Sequence, residues 1–449
     1  MVRVRFAPSP TGYLHVGNAR TAILNYLFVK KMKGTFILRI EDTDVERSRT
    51  IFIESIISDL SWLGINFDEG PYLQSKRIEI YRGYAERLIN EGFAYKCFCS
   101  KERLRELRKE MEKIREPPRY DGTCRNLSES ERKRLELSGK PYVIRFLAPN
   151  REIEFRDLIF GSVKFPAGYV DDFVLIKGNG TPSYNFAAAI DDMVMGITHV
   201  IRGKDHISNT PKQILIFKVF GKEHPQYAHH PLLVGKDGRP LSKREGSNEI
   251  KSLKENGILP EAILNFLGVL GRRVEKEVMD LDELISSFSL ESISRSDATF
   301  DVEKLLWFNK QHLRRLPSHE IMKKAEIEED PKIVELLRDN AGTLKDLKEM
   351  LGIFRSAEIT KDGVDYLKGV KEIESIVKIL EESLLTDSLS FSSMVFRLKE
   401  RGIHLSKENL LALRVLITGR KEGPPLDTIL GFIPKSTILG RIECYKRSS

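Results

Sequence analysis

The chain has 449 residues, 41% of them apolar, which suggests two to four domains with sizeable cores rather than one. Its 73 Lys and Arg against 65 Asp and Glu leave +8 and a pI near 9.0; surface solvation accounts for that, and a polyanionic partner is worth testing. No run approaches the ~18 apolar residues of a membrane helix, and the N-terminus MVRVRFAPSP has no apolar signal core, so a soluble, cytoplasmic protein is expected.

Residues 2–6, VRVRF, alternate and read as a short strand. A loop follows, then a helix over about 19–33 with Ala22, Ile23, Tyr26, Leu27 and Phe28 on one side and Gly34 as its stop. TFILRIED reads as a second, buried strand. Strand, loop, helix, strand is a βαβ unit, the start of a parallel α/β sheet. IFIESIISDLSWLG and YRGYAERLINEG read as helices ending at Gly64 and Gly92. Residues 96–125, with CFCS, a charged helical run and PPRYDGTC, read as an insertion with its own staple. Short β-like runs follow at 142–147 and 169–176. GITHVIRG, TPKQILIFKVFG and HHPLLVG, within 190–235, restore the first pattern as a second half of the sheet. After about residue 250 the chain reads as helical: Pro260 opens one helix, and another runs from a Ser406 cap to Gly419.

Two loops carry the chemistry. RFAPSPTGYLHVGNAR, Arg5 to Arg20, leaves the first strand and opens a helix. A helix N-terminus at the end of a parallel strand suits phosphate, Gly12 and Gly17 permit close approach, and His15 is placed to donate to a phosphate or ribose oxygen. A Pro/Gly turn with a half-buried histidine is an equally weighted reading. GKDGRPLSKREGS, Gly235 to Ser247, holds Lys236, Arg239, Lys243 and Arg244 among glycines. Such a cationic loop stabilises charge on a pyrophosphate leaving group; alone, it would read as a solvated hairpin. There is no Walker sequence and no GxGxxG, so a nucleotide would be held in another way.

HVGN within PSPTGxLHVG, together with LSKR at 241–244, resembles the two signatures of class I aminoacyl-tRNA synthetases. RIEDTD at 39–44 and YNFAAAIDDMVMGITHVIRGKDHISNTPKQ at 184–213 resemble the bacterial-type glutamyl-tRNA synthetase family, clearly over about 1–310 and more loosely beyond. Asn18 replaces the last histidine of the first signature, and Pro240 the first lysine of the second. The resemblance implies an α/β fold: a Rossmann-like parallel-sheet catalytic domain split by an insertion, followed by an all-α anticodon-binding region. The implied parts are 1–95 and 189–250 for the catalytic halves, 96–188 for the insertion, 251–310 for stem contact and 311–449 for the anticodon.

The implied reaction joins L-glutamate to tRNA-Glu through glutamyl-adenylate, with ATP as substrate and Mg²⁺ accompanying it. His15, Gly17, Lys243 and Arg244 are then the catalytic set, and Pro8, Thr11, Gly12, Asn18, His15, Gly17 and Lys243 meet ATP. Arg5, Ser9, Glu41, Tyr184 and Arg202 form the glutamate pocket. Glu41 suits the ammonium, and the two arginines suit carboxylates by bidentate geometry, with the assignment between them open. Without the family match, Arg5 and Glu41 would read as a cross-strand ion pair. Asp205 and His206 are expected in the same cleft, and Ala188 stands where some relatives have a polar group.

Cys97, Cys99 and Cys124, with Tyr120, match a CxC…YxxxC zinc site carried by some members of the family; three unliganded thiols is the alternative. Cys444 reads as a packed thiol. Basic clusters at 271–273, 312–316 and 419–421 are candidates for tRNA phosphates, although each alone reads as a solvated face. Asn340 falls where discriminating relatives carry an anticodon-reading arginine, which leaves charging of tRNA-Gln open. A monomer is expected. Rival readings are a glutaminyl-tRNA synthetase, whose anticodon region is β-rich, a shortened tRNA-modifying paralogue, and a silent tRNA-binding paralogue.

Overall fold

The structure is a computed structural model that describes residues 1–44, 47–114, 119–239, 241, 248–385 and 390–448. Two compact units result: Met1–Ser252 with Leu264–Asp301, and Leu253–Ile263 with Val302–Ser449.

The first unit opens with β1 (Arg3–Phe6), α1 (Val16–Lys31), β2 (Thr35–Ile40), α2 (Thr50–Trp62), β3 (Glu69–Leu73) and α3 (Ile78–Asn90). It continues through β4 (Ala94–Cys97), α4 (Lys101–Lys113), α5 (Glu129–Leu137), β5 (Val143–Phe146), β6 (Ile153–Asp157), β7 (Gly161–Phe165) and β8 (Val174–Ile176). Then come α6 (Tyr184–Val194), β9 (His199–Gly203), α7 (Thr210–Val219) and β10 (Gln226–His230).

β1, β2 and β3 are parallel in that order, with Arg5 opposite Ile37. A second sheet has the order β7-β6-β10-β9, with β9, β10 and β6 parallel and β7 antiparallel at the edge. The two sheets abut: Thr198 N–H donates to the Arg3 carbonyl at 3.0 Å, and Arg3 N–H to Thr198 Oγ1 at 2.9 Å. β4, β5 and β8 form a separate antiparallel sheet. Residues 153–165, inside the stretch read as an insertion, thus add to the sheet that carries β9 and β10.

Helix α1 begins at Val16, three residues before the expected start, because His15 caps it. It ends at Lys31, and the left-handed residue that follows is Lys33 (φ 51°), not Gly34. Gly34 is needed for space, since a Cβ there would lie 2.3 Å from the Val2 carbonyl oxygen. The apolar strand β2 is buried except at its first residue. It forms a continuous core with α1, where Ile23, Leu24 and Leu27 are at most 1% exposed, each contributing roughly 1.5–3 kcal/mol on burial.

The second unit is helical, and no strand occurs among its described residues. The helix Lys407–Thr418 has the Ser406 cap and a left-handed Gly419 (φ 77°), as its sequence indicates. Its core holds two polar staples. Asn309 accepts from Leu259 N–H and donates to the Gly342 carbonyl, both at 2.7 Å. Arg441, fully buried, donates to the carbonyls of Ile353, Ser356 and Ile417.

Candidate active site

From β1 the chain passes to β2 on one side, and from β9 to β10 on the other. Strand order therefore reverses between β1 and β9, and a crevice opens beyond their C-terminal ends. A cavity of about 520 Å³ lies there. It is lined by Arg5, Pro8, Ser9, Thr11, Gly12, His15, Gly17, Asn18, Glu41, Tyr184 and Arg202. These are all the residues nominated for ATP and glutamate that the structure describes. Asp205 and His206 join them, whereas Ala188 is fully buried away from the lining. Lys243, Arg244 and Pro240 lie outside the described residues. The flanks of their loop nevertheless reach the site: Leu241 lines the cavity, Glu249 pairs with His15, and Ile250 N–H donates to the Leu14 carbonyl at 2.8 Å.

The first loop is pinned where Glu41 N–H donates to the Pro8 carbonyl at 3.0 Å. His15 Nδ1 accepts from Gly17 N–H at 3.1 Å, which leaves the proton on Nε2 in the neutral ring. A Cβ at residue 17 would stand 2.9 Å from His15 Cε1, so glycine is what allows the ring to fold over the helix start.

The cavity floor is a buried charge network. Arg39, wholly buried, donates to Asp192 at 2.6 Å and to Glu41 at 3.1 Å. Arg5 Nε donates to Asp192 at 3.1 Å. Arg5 and Glu41 thus pair with Asp192 and Arg39 rather than with each other. Burial pushes the Glu41 carboxyl above its ordinary range against the pull of Arg39 and Arg5. Burial acts the same way on Asp192, but Arg39 and Arg5 outweigh it and hold that group below the usual range.

His206 and His230 are uncharged at neutral pH. Burial, reinforced by Arg202, lowers His206 to about 4, and burial with Arg20 nearby lowers His230 to about 3. His230 donates from Nδ1 to the Pro231 carbonyl and accepts at Nε2 from the Thr21 hydroxyl at 2.9 Å. Thr21, Asn209 and His230 are lining residues that the sequence reading missed; the HH doublet at a strand end was the available signal. Positive charge at the floor therefore comes from arginines, an arrangement suited to carboxylates, while Glu41 offers the opposite charge.

The sulfurs of Cys97, Cys99 and Cys124 lie within 4.8 Å of one another. The Tyr120 oxygen is 3.3 Å from Cys97 Sγ and 3.5 Å from Cys99 Sγ. β4 ends at Cys97, so Cys99 lies beyond the strand, in irregular chain. Zinc–sulfur bonds of about 2.3 Å in a tetrahedron put sulfurs about 3.8 Å apart, and Cys99 and Cys124 are already at 3.5 Å. Burial raises Cys99 to about 11, a cost that metal binding would remove; Tyr120 and Arg145 overcome burial at Cys97 and lower it. Within the helical unit, Asn340 lines a cavity of about 540 Å³ with Arg420 and Lys421.

Residues 1–307 match the family of class I tRNA synthetases (E and Q), catalytic domain, and residues 302–446 match an anticodon binding domain. The chain belongs to the class I tRNA synthetases. It is 39% identical over its whole length to a glutamate--tRNA ligase of Carboxydothermus hydrogenoformans, spanning 99% of that protein. It is 41% identical to a glutamate--tRNA ligase of a Hydrogenobaculum species over 99% of this chain and all of the relative. A crystal structure of a glutamate tRNA ligase from Elizabethkingia meningosepticum in complex with its amino acid superposes with a TM-score of 0.86, at 31% identity and full coverage of both chains. The first unit holds the catalytic-domain match up to Asp301 except Leu253–Ile263, and the second unit holds the whole of the anticodon-domain match. No helix among the described residues is long and apolar enough to cross a membrane.

Proposed function

We propose that this chain attaches L-glutamate to tRNA-Glu in two steps at the cavity between β1 and β9. The observation that carries the reading is the meeting, in one crevice, of a helix start capped by His15 with the Arg5, Arg202 and Glu41 charges. A glutamate α-carboxylate oxygen attacks the α-phosphorus of ATP. The bond to the β-phosphate oxygen breaks, and pyrophosphate leaves. The terminal ribose hydroxyl of tRNA then attacks the acyl carbon, and AMP departs.

Glu41 and Tyr184 take the ammonium, and Arg5 and Arg202 take the two carboxylates. His15 Nε2–H and the first N–H groups of α1 face the phosphates. Lys243 and Arg244 neutralise the leaving pyrophosphate. Catalysis is mostly positioning and charge stabilisation. Mg²⁺ accompanies the nucleotide, bound largely by phosphate oxygens and water. Cys97, Cys99, Cys124 and Tyr120 would hold one structural zinc, which would tie the Cys124 loop to the end of β4. The cytoplasm is the fitting compartment for a chain whose cysteines are all free. The relatives' names agree on glutamate as the amino acid.

Glutamate-dependent ATP–pyrophosphate exchange, run with and without tRNA-Glu, tests the reading. Exchange that requires glutamate is expected; none even with tRNA would sink it.

A further inference from the structure

Arg202 sits at the end of β9, 4% exposed, and its guanidinium is held on several sides. Nε donates to His229 Nε2 at 3.1 Å, Nη1 to Gln213 Oε1 at 2.9 Å, and Nη2 to Thr210 Oγ1 at 2.8 Å. The Tyr227 ring lies beneath it, 5.5 Å from Cζ to the centroid. A guanidinium has five N–H donors, so after these three bonds one remains on each terminal nitrogen. The Nη2 contact to the His206 carbonyl, at 3.5 Å, is a weak competitor. The cavity side of Arg202 is thus left with the donor pair that a carboxylate accepts.

The His229 contact is chemically selective. Nε of an arginine always carries hydrogen, so His229 Nε2 must offer a lone pair. The proton must then sit on Nδ1, and Asp157 Oδ2 accepts it at 2.6 Å. Asp157 is itself over-determined: Oδ1 accepts from Ile159 N–H at 2.9 Å and Phe160 N–H at 2.8 Å, and Oδ2 also accepts from His229 N–H at 3.1 Å. Four donors converge on this one carboxylate, so its oxygens serve only as acceptors. Asp157 and His229 are 1% and 0% exposed, so water cannot substitute for either. Burial keeps His229 neutral at physiological pH, despite the pull of Asp157.

We propose that Asp157 and His229 are positioning residues that lock one imidazole tautomer, and thereby aim Arg202 at a carboxylate of the amino-acid substrate. The inference rests on the glutamate pocket proposed above. It gives β6, contributed by the stretch between the two sheet halves, a part in substrate selection.

The test is Asp157→Asn. The amide keeps an oxygen for Ile159 and Phe160 but places N–H₂ against His229 Nδ1. The ring proton is driven to Nε2, where it opposes Arg202 Nε–H. In the full-length protein with tRNA and ATP, KM for glutamate is expected to rise roughly 10- to 100-fold, as when an orienting partner is removed. KM for ATP should stay within about twofold. Equal rises in both KM values, or an unchanged glutamate KM in a folded variant, would overturn the proposal. His229→Gln, an acceptor without the Asp157 lock, should fall between wild type and Asp157→Asn. If Asp157→Asn does not fold, ¹⁵N spectra of the wild-type imidazole decide: a proton on Nδ1 is expected, and one on Nε2 overturns the tautomer lock. Arg202→Lys separates the two readings. If it leaves the glutamate KM unchanged, the pocket assignment fails; if it raises KM while Asp157→Asn does not, only the positioning role fails.

Discussion

Gly17 owes its place to His15, whose ring covers the helix start within van der Waals contact of where a methyl would be. Gly17→Ala should displace the ring and remove the Nδ1 cap. We expect a stability loss of about 1 kcal/mol, the usual worth of an N-cap, and at least a ~10-fold fall in pyrophosphate exchange. Unchanged exchange would show that the ring does not serve ATP. Lys243 makes a sharper case, since a transition-state cation affects rate more than binding. Lys243→Ala is expected to lower the activation rate at least ~100-fold with nearly unchanged stability. Single-turnover adenylate formation measures it, and near-normal rates would remove Lys243 from the chemistry. Both residues were nominated as members of spaced motifs; Gly17 lines the cavity, and Lys243 lies outside the described residues. Asp157 and His229 were not, because nothing local to FRDL or AHHP indicates that the two meet.

Helices and strands extend this pattern. The helix Lys407–Thr418 was legible to the residue because Ser406 and Gly419 are strong stop signals. The start of α1 was not, since histidine is a rare N-cap. β3 and β7 went unread because EGPYL and GSVKF are short edge segments carrying Gly, Pro or charge, where burial patterning is weak. β6 does alternate, but only its ladder to β7 and β10 makes that alternation a strand. In the helical unit, Asn309 bridges the segment before residue 264 to the chain beyond 302. Asn309→Ala would orphan a buried N–H and a C=O, at roughly 1–3 kcal/mol each. Chemical denaturation should show the loss, and a change under ~0.5 kcal/mol would mean that relaxation satisfies both groups. For the cysteine cluster, protein purified without chelator should contain about one equivalent of zinc, lost in Cys124→Ser. Metal-free wild type would favour three packed thiols.

At the scale of the whole chain, the buried His230 and half-buried His206 set a pH limit. His206 at about 4 and His230 at about 3 lie below the ~6.5 of an unfolded histidine, so the unfolded chain binds more protons as pH falls. Stability is therefore complete above pH ~6.5 and declines as pH drops through the window toward 4. Glu41, raised in the fold, works in the opposite sense, but it is one group against His206, His230 and His229. Urea midpoints should fall steadily between pH 7 and 4.5, and a flat profile would show that the imidazoles hydrate without unfolding. By itself the sequence determined the α/β plan, the helical tail and the set of described side chains that line the cavity beyond β1 and β9. These depend on local periodicity, caps and motif spacing, which a linear chain displays. Tertiary structure alone decided that Arg5 answers to Asp192 rather than Glu41, and that three histidines are neutral. It alone set Asp157 behind Arg202. Desolvation and hydrogen-bond direction exist only after distant segments share one dry interior.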